Sequence, residues 1–233
     1  MTSVFDGFFD DAAIFPPGNA PVEVAVKQHE TRRAGPQGGL LGPLVCDTAR
    51  LPAVLGAATE PLRLSLVGGV DETASALAST SGTRVEPVAV EVRGPVAALP
   101  DLPVRTIAVE MAWGSGFDVP AGAVLKLRCG GEYVPTPAEL GAAIAHCVRH
   151  DQPFKLTAGL HSAVAHDGAH GFVNVMAAVV AAMHGDDPEP VLTAAPADLD
   201  LTSLAEARRL FRSIGTCDLD EPLAGLRELG LVA

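Results

Sequence analysis

Short apolar runs alternate along the chain with longer stretches that have helical periodicity. The apolar runs predict eight strands, at Ala12–Phe15, Pro43–Cys46, Leu62–Val67, Val85–Val92, Val104–Met111, Val124–Arg128, Phe154–Ala158 and Pro190–Thr193. The stretches between them predict helices at Val22–Arg33, Thr48–Ala58, Asp71–Ser79, Ala138–His150, Phe172–Met183 and Ser203–Ser213. Alternating strands and helices favour a parallel sheet, and eight strands in 233 residues favour an α/β fold of the (β/α)8 TIM-barrel type.

Two of the connections between strands depart from this pattern. Gly94–Pro103 is long enough for one helical turn at most, and Trp113–Gly122 carries glycines and a proline without apolar periodicity. The sequence therefore predicts an irregular barrel with degenerate helices after strands 4 and 5, with an open doubly wound sheet as the alternative. We expect residues 1–233 to form a single domain.

The clearest local signal precedes the predicted helix at Ala138–His150. Thr136 is an N-cap residue, Pro137 stands at the first helical position, and Glu139 stands at the third. This spacing is a capping box, in which the threonine and glutamate side chains satisfy backbone amides at the start of the helix. The sixth strand, this helix and the seventh strand therefore form a predicted β-α-β unit.

Composition and charge exclude several classes of partner. The chain has 16 basic and 28 acidic residues, a net charge of −12, and one Trp and one Tyr, so we expect no nucleic-acid or membrane partner. The four cysteines form no CxxC pair, which favours a reducing compartment, and the N-terminus lacks a basic leader; we expect a cytoplasmic protein. No dinucleotide-binding or P-loop motif occurs, and we expect no cofactor.

Two lysines stand in the middle of consecutive apolar strands. Lys126 lies within Ala123–Arg128, and Lys155 lies within Phe154–Leu160. Alternation along a barrel strand places both lysines inward, because the leucines on either side then face the helices. Burial disfavours an ammonium group and lowers its pKa, so such a lysine can become a nucleophile or a base.

The same alternation places further polar side chains near the lysines. Asp47, Arg63, Glu91 and Glu110 are predicted to point inward, while Asn19 and His161 are predicted to lie on the rim at the carboxyl ends of the strands. Charged groups cannot share a dry interior without partners. We therefore expect these residues to form ion pairs or to line a wet pocket.

The two lysine motifs resemble those of the deoxyribose-phosphate aldolase group of class I aldolases, over about 35 residues. The likeness rests on Lys126-Leu-Arg-Cys-Gly130 and Lys155-Leu-Thr-Ala-Gly159. It implies that Lys126 forms a Schiff base with a carbonyl substrate and that Lys155 lowers its pKa. The motif departs from that family at Leu127-Arg128-Cys129, where the family has Thr-Ser-Thr.

A second resemblance extends over the whole chain. Ile14–Asn19, Pro153–His161 and Gly215–Pro222 are similar to segments of a family of bacterial proteins common in actinobacteria. This likeness implies a shared fold and adds no chemistry.

The functional prediction combines these observations. The leading hypothesis is a lysine-dependent lyase or aldolase for a small anionic carbonyl or phosphorylated metabolite, in a protein that can form a homo-oligomer. The alternatives are a non-covalent isomerase or hydro-lyase with the same pocket, and a non-catalytic binding or scaffold protein. The predicted catalytic residues are Lys126, Lys155, Glu110 and His161; the predicted substrate-binding residues are Arg128, Gly130, Gly131, Asp47, Arg63, Glu91 and Asn19.

A metal site is not predicted, although histidines are frequent in one part of the chain. His166 and His170 are four residues apart, but Asp167-Gly168 between them indicates a loop. His146, His150 and His184 are predicted to lie near helix ends.

Overall fold

Eight parallel strands close into a barrel in which every strand pairs with its neighbours along the chain. A computed structural model of the protein describes residues 3–232. The strands are β1 Phe9–Asp11, β2 Leu41–Asp47, β3 Leu62–Val67, β4 Val85–Arg93, β5 Thr106–Glu110, β6 Val124–Arg128, β7 Phe154–Thr157 and β8 Phe211–Thr216. The predicted (β/α)8 barrel is confirmed, and the open doubly wound sheet is wrong because β8 pairs with β1.

The described part of the chain, residues 3–232, has seven α-helices around the barrel. They are α1 Val22–Ala34, α2 Leu51–Ala57, α3 Val70–Ala78, α4 Pro137–Arg149, α5 Phe172–His184, α6 Leu204–Ala207 and α7 Asp220–Glu228. Short 3₁₀ turns occur at Gly38–Leu40, Pro190–Thr193 and Pro196–Asp198. Strand β4 leads to β5 and β5 leads to β6 without an intervening helix, as the sequence predicts for these two connections.

Helix α4 begins as its sequence indicates. Thr136 Oγ1 accepts a hydrogen bond from the Glu139 backbone amide at 3.2 Å, and the Glu139 carboxylate accepts one from the Thr136 amide at 2.8 Å. The helix then buries Leu140, Ile144 and Cys147 against the barrel. The capping box therefore fixes where the β6–α4–β7 unit turns back toward the sheet.

The apolar core lies between the strands and the helices. Six fully buried phenylalanines contribute to it: Phe5, Phe8, Phe9, Phe154, Phe172 and Phe211. The rings of Phe154 and Phe211 stack with centroids 4.9 Å apart, which joins the amino ends of β7 and β8. This core surrounds the barrel on its outside, and the barrel interior holds buried polar side chains such as Glu91, Lys126 and Lys155.

The sequence predicts the first and last strands of the barrel less accurately than the strands between them. Ala12–Phe15 is not a strand, because β1 is the preceding segment Phe9–Asp11. Pro190–Thr193 is a 3₁₀ turn, and the eighth strand is Phe211–Thr216, where the helix prediction overran from α6. These two shifts matter for the site, since β1 and β8 each contribute one polar side chain to it.

Candidate functional site

A chain of ion pairs crosses the barrel interior from β1 to β5. It consists, in order of contact, of Asp10, Lys155, Glu91, Lys126 and Glu110. We call these residues the ion-pair chain. Its members come from β1, β7, β4, β6 and β5, so it connects strands on opposite sides of the barrel.

Each lysine in the ion-pair chain contacts two carboxylates. Lys155 Nζ lies 2.6 Å from Asp10 Oδ2 and 2.7 Å from Glu91 Oε1. Lys126 Nζ lies 2.8 Å from Glu91 Oε2 and 2.6 Å from Glu110 Oε2. Glu91 therefore uses one oxygen for each lysine, and such charge-assisted contacts offset the cost of burying the charges.

Strand register places the lysines beside each other. Lys126 is the register partner of Lys155 across β6 and β7, and Glu110 is the partner of Lys126 across β5 and β6. Both lysines are 5% exposed and contact the same interior carboxylate. The prediction that the two lysines point into one interior from adjacent parallel strands is confirmed.

Two serine hydroxyls complete the buried part of the ion-pair chain. Ser65 Oγ donates to Glu91 Oε1, and Ser213 Oγ donates to Asp10 Oδ2, both at 2.8 Å. Gly42 leaves room for the Asp10 carboxylate, because a Cβ atom at that position would lie 2.2 Å from Asp10 Oδ1. Any side chain at position 42 would therefore displace the Asp10 carboxylate from its observed position.

Burial and charge shift the pKa values of these groups in different directions. Burial raises the pKa of the Asp10 carboxyl above its ordinary value, and the lysine beside it only partly opposes this. Burial acts on Glu91 in the same sense, but the charges of Lys126 and Lys155 outweigh it and lower the pKa of Glu91. For Lys155, the pull of Asp10 and Glu91 outweighs burial and raises its pKa, so the lysine is held as an ammonium.

Glu110 is the end of the ion-pair chain that reaches solvent. Its side chain is 20% exposed, whereas the side chains of Glu91 and Lys126 are 2% and 6% exposed. Glu110 is the last residue of β5, at the carboxyl end of the barrel, where the active sites of enzymes with this fold are found.

Arg128 and the glycines after β6 lie at the same end. Arg128 is exposed, and it forms no ion pair within the part of the chain that the structure describes. Gly131 has a φ of +82°, and a Cβ atom there would lie 3.9 Å from Arg128 Nη2, so the guanidinium lies beside this turn. A Cβ atom on Gly130 would lie 2.8 Å from the Gly159 backbone, so the turns after β6 and β7 approach each other closely.

Thr157 provides an unsatisfied polar atom near this turn. Its Oγ1 is buried and has no hydrogen-bond partner among residues 3–232, and Thr157 is the register partner of Arg128. Buried hydroxyls are normally hydrogen-bonded, so this atom is available to a ligand or to an ordered water.

The remaining residues predicted for the site are dispersed. Asp47 pairs with Arg50, and Asn19 is exposed with its side-chain amide donating to Pro17 O at 3.3 Å. His161 is half-buried and makes no hydrogen bond among residues 3–232. Arg63 is near the start of β3, so it lies at the opposite end of the barrel from Arg128.

A cavity of about 420 Å³ opens at the amino ends of the strands. Asp10, Glu91, Lys155 and Ser213 line its buried floor. Arg63, Arg105 and Arg212 line its exposed rim. The ion-pair chain thus has Glu110 near one end of the barrel and Asp10 beside a cavity at the other.

The structure adds site residues that the sequence did not indicate. Asp10 lies outside the predicted first strand, Ala12–Phe15, and Ser213 lies within the predicted helix Ser203–Ser213, so the pattern indicates neither. One signal could indicate a missing acid: the sequence assigns four cations to the site, Lys126, Lys155, Arg63 and Arg128, against the three carboxylates of Asp47, Glu91 and Glu110. Cys129, beside Arg128, has no lowered pKa; burial raises the pKa of its thiol.

The described residues contain no group of three or more histidine, cysteine or acidic side chains arranged to hold a metal ion. His170 Nε2 lies 2.7 Å from Pro135 O, which ties this histidine to the loop before α4. None of the described helices has the length and apolar character that a membrane span requires.

Comparisons with known proteins say little about this site. No family model matches the chain, and no curated protein matches it. Among solved structures, the crystal structure of a dihydropteroate synthase from Yersinia pestis is similar, with 12% identity, 89% of this chain and 86% of that chain covered, and a TM-score of 0.39. That likeness is too distant to support an argument, and the comparisons do not favour the aldolase resemblance in particular.

Proposed function

We propose that the protein is an enzyme that transfers a proton on a small anionic carbonyl compound, without a covalent intermediate. A closed (β/α)8 barrel is a common scaffold for enzymes that act on small molecules. The observation that supports this proposal most directly is the Glu110–Lys126 pair. It joins a partly exposed carboxylate to a buried ammonium across 2.6 Å at the carboxyl end of the barrel.

In the proposed reaction, the Glu110 carboxylate removes a proton from the carbon next to the substrate carbonyl. The electron pair moves onto the carbonyl oxygen, and the Lys126 ammonium stabilises the resulting enolate. Glu110 then returns the proton to a carbon of the enediolate or enolate. The substrate anion is assigned to Arg128 and to the turn at Gly130-Gly131, and the unpaired hydroxyl of Thr157 is available to a substrate oxygen.

The Schiff-base lyase is the second candidate, and the adjacency of Lys126 and Lys155 favours it. Against it stand the contacts of both ammonium groups. To attack a carbonyl, Lys126 must lose a proton and give up its contacts with Glu91 and Glu110. Lys155 is itself paired with Asp10 and Glu91, so its charge is largely compensated before it can act on Lys126.

One experiment separates these hypotheses. The protein is incubated in D₂O with a panel of small phosphorylated and carboxylated aldehydes and ketones. Deuterium incorporation next to the carbonyl is followed by proton NMR, and a parallel sample is reduced with borohydride for intact-mass measurement. Exchange without an adduct supports the proposal, an adduct that is lost in Lys126→Arg supports the lyase, and neither exchange nor adduct supports a binding or scaffold protein.

A further inference from the structure

The barrel has an open cavity at the end that is usually closed. In most (β/α)8 barrels, large side chains fill the interior in layers, and the amino-terminal face contributes to stability. Here the strands supply small or compact side chains to the lining, including Pro43, Ala89, Ala108 and Val124, and a volume of about 420 Å³ is left. That volume is within the size range of small-molecule sites.

Arginines concentrate at the rim of this cavity. Arg63 and Arg212 are the second residues of β3 and β8, and Arg105 directly precedes β5, so the three lie around the opening rather than along one strand. The protein as a whole is acidic, with a net charge of −12. The three guanidinium groups therefore form a positively charged patch on an otherwise acidic protein.

The arginines are available to a ligand. Arg63 and Arg212 form no ion pair within residues 3–232. Arg105 has one partner, Glu86, at 3.5 Å, and the two side chains are 80% and 60% exposed. An exposed pair of this kind contributes little to stability, so a ligand can replace Glu86 at little cost.

The floor of the cavity differs from its rim. Asp10 and Glu91 lie there with Lys155 between them, and Ser213 donates to Asp10. Carboxylates repel an anion but accept hydrogen bonds from hydroxyl groups. A suitable ligand therefore has its charge at one end, against the arginines, and uncharged hydrogen-bond donors at the other.

We propose that this cavity is a second binding site, specific for a small phosphate ester that bears hydroxyl groups. The phosphate binds at the Arg63, Arg105 and Arg212 rim, since guanidinium groups donate paired hydrogen bonds to phosphate oxygens. The hydroxyl end occupies the cavity above Asp10. The site is distinct from that of the proposed proton transfer, because neither Glu110 nor Lys126 lines the cavity.

Isothermal titration calorimetry at low ionic strength tests the proposal with glycerol 3-phosphate, inorganic phosphate, citrate and glycerol. We expect glycerol 3-phosphate to bind more tightly than inorganic phosphate, and glycerol not to bind. Arg63→Gln and Arg212→Gln should each weaken binding about tenfold, the effect of losing one hydrogen bond between charged groups. Arg93→Gln is the matched control: it is an exposed arginine at the other end of the barrel, and binding should be unchanged.

A second measurement uses the unmodified protein. Phenylglyoxal labels accessible arginines, and peptide mass spectrometry reads the label at each position. Glycerol 3-phosphate should protect Arg63 and Arg212 and leave Arg93 reactive. The proposal is overturned by tighter binding of citrate, by binding that survives loss of both rim arginines, by equal loss in Arg93→Gln, or by no binding at all. Glu110→Gln should leave this binding intact, so the second site and the proposed enzyme activity can fail separately.

Discussion

The ammonium groups of Lys126 and Lys155 share the carboxylate of Glu91, which lies 2.8 Å from one and 2.7 Å from the other. This arrangement gives two adjacent cations a common counter-ion in the middle of the barrel. It also changes the interpretation of the lysines: each contacts two carboxylates, and the raised pKa of Lys155 holds that lysine in its charged form.

The shared carboxylate should dominate the stability of the barrel interior. Replacing Glu91 with Gln leaves two buried ammonium groups short of one partner each, so we expect the free energy of unfolding to fall by about 3–5 kcal/mol. Urea denaturation measures this. Glu86→Gln, an exposed position on the same strand, is the control and should cost less than about 1 kcal/mol. An equal loss of unfolding free energy in the two variants would contradict the claim that Glu91 is the shared partner of both lysines.

The lowered pKa of Glu91 has a consequence for acid stability. A carboxyl whose pKa is lower in the folded than in the unfolded protein contributes stability above its unfolded pKa of about 4.3, and this is lost as the pH falls further. Asp10 acts in the opposite sense, because its pKa is raised. The difference in unfolding free energy between wild type and Glu91→Gln should therefore shrink below about pH 4.3. If the difference in unfolding free energy between the two proteins stayed constant from pH 7 to pH 3, the ion pairs of Glu91 with Lys126 and Lys155 would be contradicted.

A substitution at Gly42 tests how tightly the Asp10 carboxylate is packed. A methyl group there would lie 2.2 Å from Asp10 Oδ1, and Asp10 is held by Lys155 and Ser213. We expect Gly42→Ala to destabilise the protein by about 1–3 kcal/mol, the usual effect of overpacking. Gly56→Ala is the control, since a Cβ atom there meets nothing within 4 Å. That helical position should gain about 0.5–1 kcal/mol. Equal melting temperatures for the two variants would be inconsistent with this packing.

The cysteines should differ in reactivity. Burial raises the pKa of Cys46 and Cys147 to about 12, so neither is a thiolate near neutral pH. Burial also raises the pKa of Cys217, but that residue is only partly buried. In the native protein at pH 8, iodoacetamide should modify Cys217 first, and all four cysteines should react after denaturation. Rapid native labelling of Cys147, read by peptide mass spectrometry, would show that the helix α4 packing is wrong.

The sequence predicted the middle of the barrel because local signals agree there. The capping box at Thr136 sets the start of α4, and Lys126 and Lys155 interrupt leucine-rich strands whose alternation fixes their direction. Strands β3 and β6 have the predicted bounds, Leu62–Val67 and Val124–Arg128. Where periodicity and capping point to one structure, tertiary packing has little left to decide.

The first and last strands could not be placed in the same way. Strand β1 has three residues, Phe9–Asp11, and two of them are acidic, so it has too little apolar pattern to be distinguished from a loop. Strand β8 follows α6 after only three residues, and its start shares the helical pattern of the preceding segment. Strands β1 and β8 pair with each other to close the barrel. This pairing joins the two ends of the chain, so no local sequence pattern reveals it. For that reason the sequence does not indicate Asp10 or Ser213 as site residues.

The position of Arg63 shows a second limit. Alternation along β3 correctly indicates a residue that faces the interior side of its strand, yet it does not indicate height along the barrel axis. Arg63 is the second residue of β3, so it lines the amino-end cavity and not the carboxyl-end site of Arg128. The amino-end position of Arg63 follows from the predicted bounds Leu62–Val67, in which it is the second residue, and alternation alone does not give it.

The most direct test of the proposed function is the effect of Glu110→Gln on deuterium exchange next to the carbonyl of whichever panel compound reacts. A glutamine keeps the shape of Glu110 but cannot accept the proton, so we expect the exchange rate to fall by a factor of about 10²–10⁴. Glu132→Gln, at an exposed position in the turn after β6, should exchange at the wild-type rate. Exchange that continues unchanged in Glu110→Gln would contradict the account.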